Sequence, residues 1–447
     1  MDKFCIVNDC DASDKTDSCK GKYIEDGGQT IYVCSDHWSG YEACLDNHDW
    51  GEDIPRASTP LQIPNTPEKA PLSPEVAAQI DAILSFDRTP SEMVDEVSRF
   101  VVGQESPKRS LAIALRRHYL RVQLRLDDRD VDANLLPKHN ILLLGPTGVG
   151  KTHLVRTYAK SVIGAPFWSE SATRLTESGY VGDDVENMIS CLLHAAHLSK
   201  TLCQMGIVFI DEVDKKRKTS QGPSTSTNKD VSGEGVQQAL LDILEPSGTI
   251  LYIGKQARER SNPGRDKVEI DTTDIQFIGG GAFVGLSDVI SKRLGGKRSM
   301  GFGASTPLDV KKEESEILHS VLPEDLIQYG FIPEFVGRFG VLEVFDPLSA
   351  EDMEEILRST DDSPLSQQGA HANLEGFDLI FSDEVVSEFA LRASEDEMGA
   401  RSLKSIVNSS TKAIFFDLPT KVRDTKKRLS VRVTPKTLED PSKYDVS

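Results

Sequence analysis

Residues Ile141-Leu-Leu-Leu-Gly-Pro-Thr-Gly-Val-Gly-Lys-Thr152 decide the fold. Four apolar residues ending in a glycine turn read as a buried strand of a parallel sheet. Gly145 to Thr152 then fits the spacing G-x-x-x-x-G-K-[S/T], with a helix expected to start near Lys151. Glycines at these places let backbone N–H groups wrap a phosphate chain, with Lys151 reaching the β/γ oxygens and Thr152 holding Mg²⁺. Gly145, Pro146, Thr147, Gly148, Val149, Gly150, Lys151 and Thr152 are therefore the candidate cofactor-binding set. ATP with Mg²⁺ is the cofactor they imply.

Downstream, Ile207-Val-Phe-Ile210 is a second short apolar run, and it ends in Asp211-Glu212. An acidic pair at a strand's C-terminal edge can hold Mg²⁺ through water (Asp211) and polarise an attacking water as general base (Glu212). Ile275-Gln-Phe-Ile278 is a third strand. Leu111, Leu115, Tyr119, Val122 and Leu126 recur at helical spacing before the first strand, as do Val185, Met188, Ile189, Leu192 and Leu193 between the first and second. Asp183 and Asp184 stand where a helix N-terminus favours negative charge. Strands separated by helices mean an α/β fold, a parallel sheet flanked by helices. From about 341 the pattern changes to a smaller α+β region: a helix, a strand at Phe377–Phe381, and helices around 383–393 and 399–416. The last seventeen residues are polar and read as a loose tail.

Gly179-Tyr-Val-Gly182 places an aromatic between glycines on a turn. The stretches Leu175-Thr-Glu-Ser-Gly-Tyr-Val-Gly-Asp-Asp-Val-Glu-Asn187, Asp230-Val-Ser-Gly-Glu-Gly-Val-Gln-Gln-Ala-Leu-Leu241 and Phe331-Ile-Pro-Glu-Phe-Val-Gly-Arg338 carry a closer likeness. Through them, residues 91–416 resemble the AAA+ module of the ClpX family, ATPase partners of the ClpP peptidase. The resemblance implies a P-loop AAA+ fold and a homohexamer with ATP at subunit interfaces. It further implies ATP-driven unfolding and translocation of protein substrates into a ClpP-type peptidase, with adaptors as further partners. A solitary ATP-driven remodelling chaperone without peptidase is the alternative.

Carried over by position, the resemblance places Val102 at the adenine pocket. Lys151, Asp211, Glu212, Arg338 and Arg401 become the catalytic set, with Arg338 as the arginine finger toward a neighbour's γ-phosphate and Arg401 as the sensor on the small domain. Tyr180 and Val181, with Lys229, Asp230, Val231 and Ser232, become the substrate pore. Lys229 ends a loop from Lys215 that carries five positive charges and no negative ones. Met300, Gly301 and Phe302 become the peptidase-docking tripeptide, with Met where the family more often has Ile or Leu. The entrance-loop segment Gly254–Arg265 is basic but lacks the family's Arg-Lys-His.

Residues 1–50 hold five of the seven cysteines and eleven acidic residues against four lysines. Cys5, Cys10, Cys34 and His37 form two ligand pairs at spacings suited to a tetrahedral structural zinc site, and Cys19 and Cys44 are spare thiols able to substitute. A four-cysteine zinc domain stands at this place in the family, so an N-terminal zinc-binding-like domain is expected. Pro55, Pro60, Pro64, Pro67, Pro71, Pro74 and Pro90 mark 51–90 as a semi-rigid linker with a short helix near Glu75–Phe86. The organisation expected is thus 1–50, linker 51–90, large ATPase domain 91–340, small domain 341–430 and polar tail 431–447.

Net charge of −20 argues against nucleic acid or an anionic membrane as partner. No apolar run reaches the roughly 20 residues of a membrane span. The first residues form no secretory signal, and clustered cysteines without one read as metal ligands, so a cytoplasmic location is expected.

Overall fold

The fully buried run Asn140–Leu144 is the axis around which the chain is built. In the computed structural model the described residues are 21–26, 29–34, 72–126, 137–175, 185–218, 233–245, 250–253, 268–295, 307–396, 398–425, 428–439 and 444–446. Two units make up the chain: residues 1–71 with 252–269, and residues 72–251 with 270–447. The first contains an antiparallel hairpin of β1 (Gly21–Asp26) and β2 (Gln29–Cys34).

In the second unit, β3 (Asn140–Leu144), β4 (Phe167–Ser171), β5 (Ile207–Asp211), β8 (Gln276–Gly281) and β9 (Phe339–Val344) form one five-stranded sheet. Its order is β4-β5-β8-β3-β9, and every neighbouring pair is parallel. Elsewhere β6 (Ile250–Ile253) pairs with β7 (Val268–Asp271). The three strands read from apolar runs are the three inner ones. Ile141, Phe209 and Ile278 share one register line and are wholly buried. An inner parallel strand is covered on both faces, so it needs no polar alternation. The edge strands β4 and β9 are only partly buried. Their mixed composition gave no such run, and neither was expected as a strand.

Helices cover the sheet where the 3.6-residue spacing placed them. Glu105–Leu126 buries Leu111, Leu115, Tyr119 and Val122, and Val185–Ala195 buries Val185, Met188, Ile189, Leu192 and Leu193. The helix after the glycine loop is α-helical over Lys151–Thr157 and continues as a π-helix over Tyr158–Ile163.

Two expectations need correction. The short helix expected near Glu75–Phe86 is present, but the stretch 51–90 does not stay a linker to its end. Helix Pro74–Leu84 starts at an Ser73 cap and buries Val76, Ile80 and Ile83. Arg116 Nη1 donates to the Phe86 carbonyl (2.7 Å), tying this segment to the large domain. Prolines at helix starts and turns pack as well as linker prolines extend, and composition alone does not separate the two. Nor is 431–447 a loose tail. Here β10 (Phe377–Phe381), β11 (Leu429–Val433) and β12 (Asp445–Val446) form a sheet in that order, with β11 in the middle. Val431 and Val433 are wholly buried against Phe377, Phe389 and Leu403 in the core of the small domain. Two alternating valines suffice for a strand with one buried face, a pattern short enough to vanish among polar neighbours.

Among the described residues no helix is long and apolar enough to cross a membrane.

Candidate active site

Parallel strands direct all their C-terminal ends to one edge, and the loops leaving that edge converge. The loop after β3 runs Gly145–Gly150 and stays against the sheet, because Gly145 N–H donates to the Gly281 carbonyl at the end of β8 (3.2 Å). Gly148 and Gly150 take left-handed backbone angles, φ +80° and +95°. Lys151 opens the helix and is 93% buried, an unusual place for an ammonium group (7% exposed). Its Nζ donates to the carbonyls of Gly145 (2.6 Å) and Pro146 (2.8 Å). Burial pushes its pKa down to about 8, and Arg401 adds in the same direction, while Asp211 and Asp214 oppose. A buried cation this poorly compensated has much to gain from an anion brought beside it.

Asp211 ends β5 and accepts a hydrogen bond from Thr152 Oγ1 (3.0 Å). A hydroxyl and a carboxylate oxygen side by side are the hard donors that Mg²⁺ takes, together with phosphate oxygens and water. These residues therefore fit ATP and Mg²⁺: the loop offers N–H groups, Lys151 a charge, and Thr152 with Asp211 the metal donors. Glu212 follows in a left-handed conformation, φ +58°. Such a backbone is strained for a residue with a Cβ. It turns the side chain outward, and Oε2 accepts from Ser171 Oγ (2.6 Å) at the end of β4.

The small domain closes over this edge. Ala400 N–H, at the start of helix Ala400–Thr425, donates to the Gly148 carbonyl (3.1 Å). A Cβ at Gly148 would stand 1.9 Å from the Met398 carbonyl oxygen. A narrow cleft is lined here by Pro146, Thr147, Gly148, Leu348, Met353 and Gly399. Arg401 lies in the first turn of the same helix, close enough to act on Lys151. Val102 is buried and does not line this cleft. Its neighbour Gln104 is locked to the domain junction: its Nε2 donates to the Asp346 carbonyl (2.8 Å), and its Oε1 accepts from Asp346 N–H (3.1 Å).

Lys151, Thr152, Asp211, Glu212 and Arg401 thus converge, and Arg338 does not join them. It precedes β9, and its carbonyl accepts from Asn140 Nδ2 (3.0 Å) at the opposite, N-terminal edge of the sheet. A strand climbs about 3.3 Å per residue, so the five residues of β3 separate Arg338 from the loop by on the order of 15 Å. Its guanidinium forms an ion pair with Glu245, and its buried Nε has no partner among the described residues.

Ser171, Glu245 and Asp214 were not singled out from the sequence. Asp214 is 3% exposed and its Oδ1 accepts from Ala282 N–H (3.3 Å), joining the turn after Glu212 to the end of β8. A third carboxylate three residues after Asp211 was visible as a signal; Ser171 and Glu245 carried none. Tyr180, Val181, Lys229, Asp230, Val231, Ser232, Met300, Gly301, Phe302, Cys5, Cys10 and His37 lie outside the described residues. Cys34 ends β2.

The chain is similar to known proteins over both parts of its second unit. A family model for the AAA domain (Cdc48 subfamily) matches residues 136–342. A model for the C-terminal, D2-small domain of ClpB protein matches residues 348–430. The ATP-dependent Clp protease ATP-binding subunit ClpX of Treponema denticola is 40% identical over 331 residues, covering 74% of this chain and 77% of that protein.

Proposed function

Because the chain belongs to the ClpX family of AAA+ ATPases, we propose that its ATPase drives a homohexameric ring that unfolds proteins and threads them into a ClpP-type peptidase. ATP and Mg²⁺ follow from the AAA domain itself. In the proposed ring, Lys151 neutralises the β/γ-phosphates, Thr152 and Asp211 hold Mg²⁺, and Glu212 activates the attacking water. Arg401 reads the nucleotide from the small domain. Tyr180 and Val181, with Lys229 to Ser232, grip the polypeptide in the axial pore, and Met300-Gly301-Phe302 docks on the peptidase. Cys5, Cys10, Cys34 and His37 hold a structural zinc ion in a domain that recruits adaptors and substrates. The protein works in the cytoplasm.

One observation carries the reading. Arg338 stands at the wrong edge of its own sheet to serve its own phosphate loop, and its ion pair with Glu245 leaves Nε unused. An arginine so placed supports an active site completed by a neighbouring subunit.

Mixing two inactive variants tests this. Glu212→Gln and Arg338→Ala chains should each hydrolyse ATP at no more than about 1% of the parent rate. Mixed rings contain interfaces with an intact Glu212 facing an intact Arg338, so activity should return on mixing. If mixtures stay as inactive as their parts while subunits exchange, the shared-site ring is wrong. A peptidase that binds Phe302→Ala as tightly as the parent would remove the docking assignment and favour a solitary remodeller.

A further inference from the structure

Gln237 is wholly buried, on helix Gly233–Leu244. Both ends of its amide are used, each by the backbone of a different element. Nε2 donates to the Lys216 carbonyl (2.8 Å), in the turn Val213–Lys216 that directly follows Asp211 and Glu212. Oε1 accepts from Ile332 N–H (2.9 Å), which leads into helix Pro333–Val336 and Arg338. If either element moved alone, one end of the buried Gln237 amide would be left unpaired, so the three elements are obliged to move together.

Lys216 extends the link in the other direction. Its Nζ donates to the carbonyls of Leu175 (2.9 Å) and Thr173 (3.4 Å). Leu175 is the last described residue before 176–184, the stretch holding Tyr180. A second tie runs beside the first. Lys218 N–H donates to the Gly330 carbonyl (2.9 Å), and the Arg217 guanidinium lies 4.1 Å from the centre of the Tyr329 ring. Gly330 has φ +119°, and a Cβ there would stand 2.6 Å from the Lys218 carbonyl oxygen, so only glycine admits this approach. Arg217 and Lys218 are in turn the last described residues before 219–232, the stretch holding Lys229 to Ser232.

We propose that Lys216 and Gln237 are positioning residues forming a relay. It couples the acidic pair Asp211–Glu212 to the arginine segment 332–338 and to the bases of both pore stretches. The relay rests on the unfoldase reading above. Neither residue touches nucleotide in this scheme. A change of the turn after Glu212 pulls on Leu175 through the Lys216 ammonium and on Ile332 through the Gln237 amide. Polypeptide in the pore acts back along the same bonds on hydrolysis.

The test uses the full chain, with casein as an unstructured protein probe. Gln237→Glu keeps size and an acceptor for Ile332 N–H, and replaces the donor to Lys216 by an oxygen facing a carbonyl. Lys216→Met removes the ammonium from a half-exposed side chain. The deciding readout is the ratio of ATP turnover with casein to turnover without it. Partial misfolding lowers both rates equally and leaves that ratio unmoved. In Gln237→Glu, KM for ATP should stay within about twofold, kcat should fall about tenfold, and the casein response should disappear. Lys216→Met should keep its basal rate and lose the response; should Gln237→Glu fail to fold, this variant decides alone. Ratios matching a responsive parent in every variant that folds overturn the relay only. A parent that hydrolyses ATP without responding to casein overturns the unfoldase reading and the relay with it.

Discussion

Ser171 Oγ donates a 2.6 Å hydrogen bond to Glu212 Oε2, across from the end of β4 to the end of β5. Strand β4 lies on the far side of β5 from β3 and its phosphate loop. The hydroxyl therefore holds the proposed general base away from the place where a water would attack. Such a bond contributes about 0.5–1.5 kcal/mol. Ser171→Ala should raise basal kcat about threefold and leave KM for ATP unchanged, as a steady-state ATPase assay would record. A fall in kcat would mean that Ser171 orients Glu212 productively, not that it restrains it.

Gly148 faces the small domain at a distance that excludes any side chain. Its φ of +80° adds strain of about 1–3 kcal/mol for a residue with a Cβ. Gly148→Ala should push Met398 and Gly399 off the loop and break the Ala400–Gly148 hydrogen bond. ATP affinity, measured by calorimetry, should fall at least about tenfold. An unchanged affinity would mean that closure of the small domain contributes nothing to binding.

Lys138 is 4% exposed, and its Nζ donates to the Thr272 carbonyl (3.0 Å) above the Phe277 ring. Burial pushes its pKa down to about 7, helped by Arg121 and opposed by Asp274 and Asp271. The same pocket holds His118, buried and for that reason kept well below its ordinary pKa, with Arg125 paired to Asp274. Above pH 7 the folded chain binds fewer protons at Lys138 than the unfolded chain, whose lysine titrates near its ordinary value of about 10.4. Stability from this group therefore rises with pH through that window, by up to about 1.4 kcal/mol per pH unit. Lys138→Met should flatten the rise, visible in urea unfolding at pH 7, 8 and 9. An identical slope in the variant would show Lys138 charged in the folded state.

Val431 is wholly buried on the middle strand of the small domain's sheet. Val431→Ala should cost about 2 kcal/mol, the transfer and cavity cost of the lost methyl groups. Thermal unfolding of the small domain should move to lower temperature accordingly. No change would return the segment to the loose tail expected from composition.

Much of the site was legible because its chemistry is local. Lys151 and Thr152 are adjacent, as are Asp211 and Glu212, and each pair follows an apolar run that must be an inner strand. The partly exposed strands β4, β9 and β11 were illegible for the converse reason: their mixed residues look alike in a strand, a turn or a tail. The partners of the proposed catalytic groups were hidden by distance along the chain. Ser171 and Glu212 are 41 residues apart, and Gln237 and Ile332 are 95 apart.

By itself the sequence determined a parallel α/β ATPase with its phosphate loop and acidic pair. These rest on hydrophobic run length, glycine freedom and residue chemistry, which act over a few neighbouring positions. Only the tertiary structure decided that β4 lies beside β5, which gives Glu212 its restraint. It likewise set β9 beside β3, which carries Arg338 to the far edge of the sheet. Strand order follows from which long-range pairings bury every apolar face at once, and no single stretch of chain contains that choice.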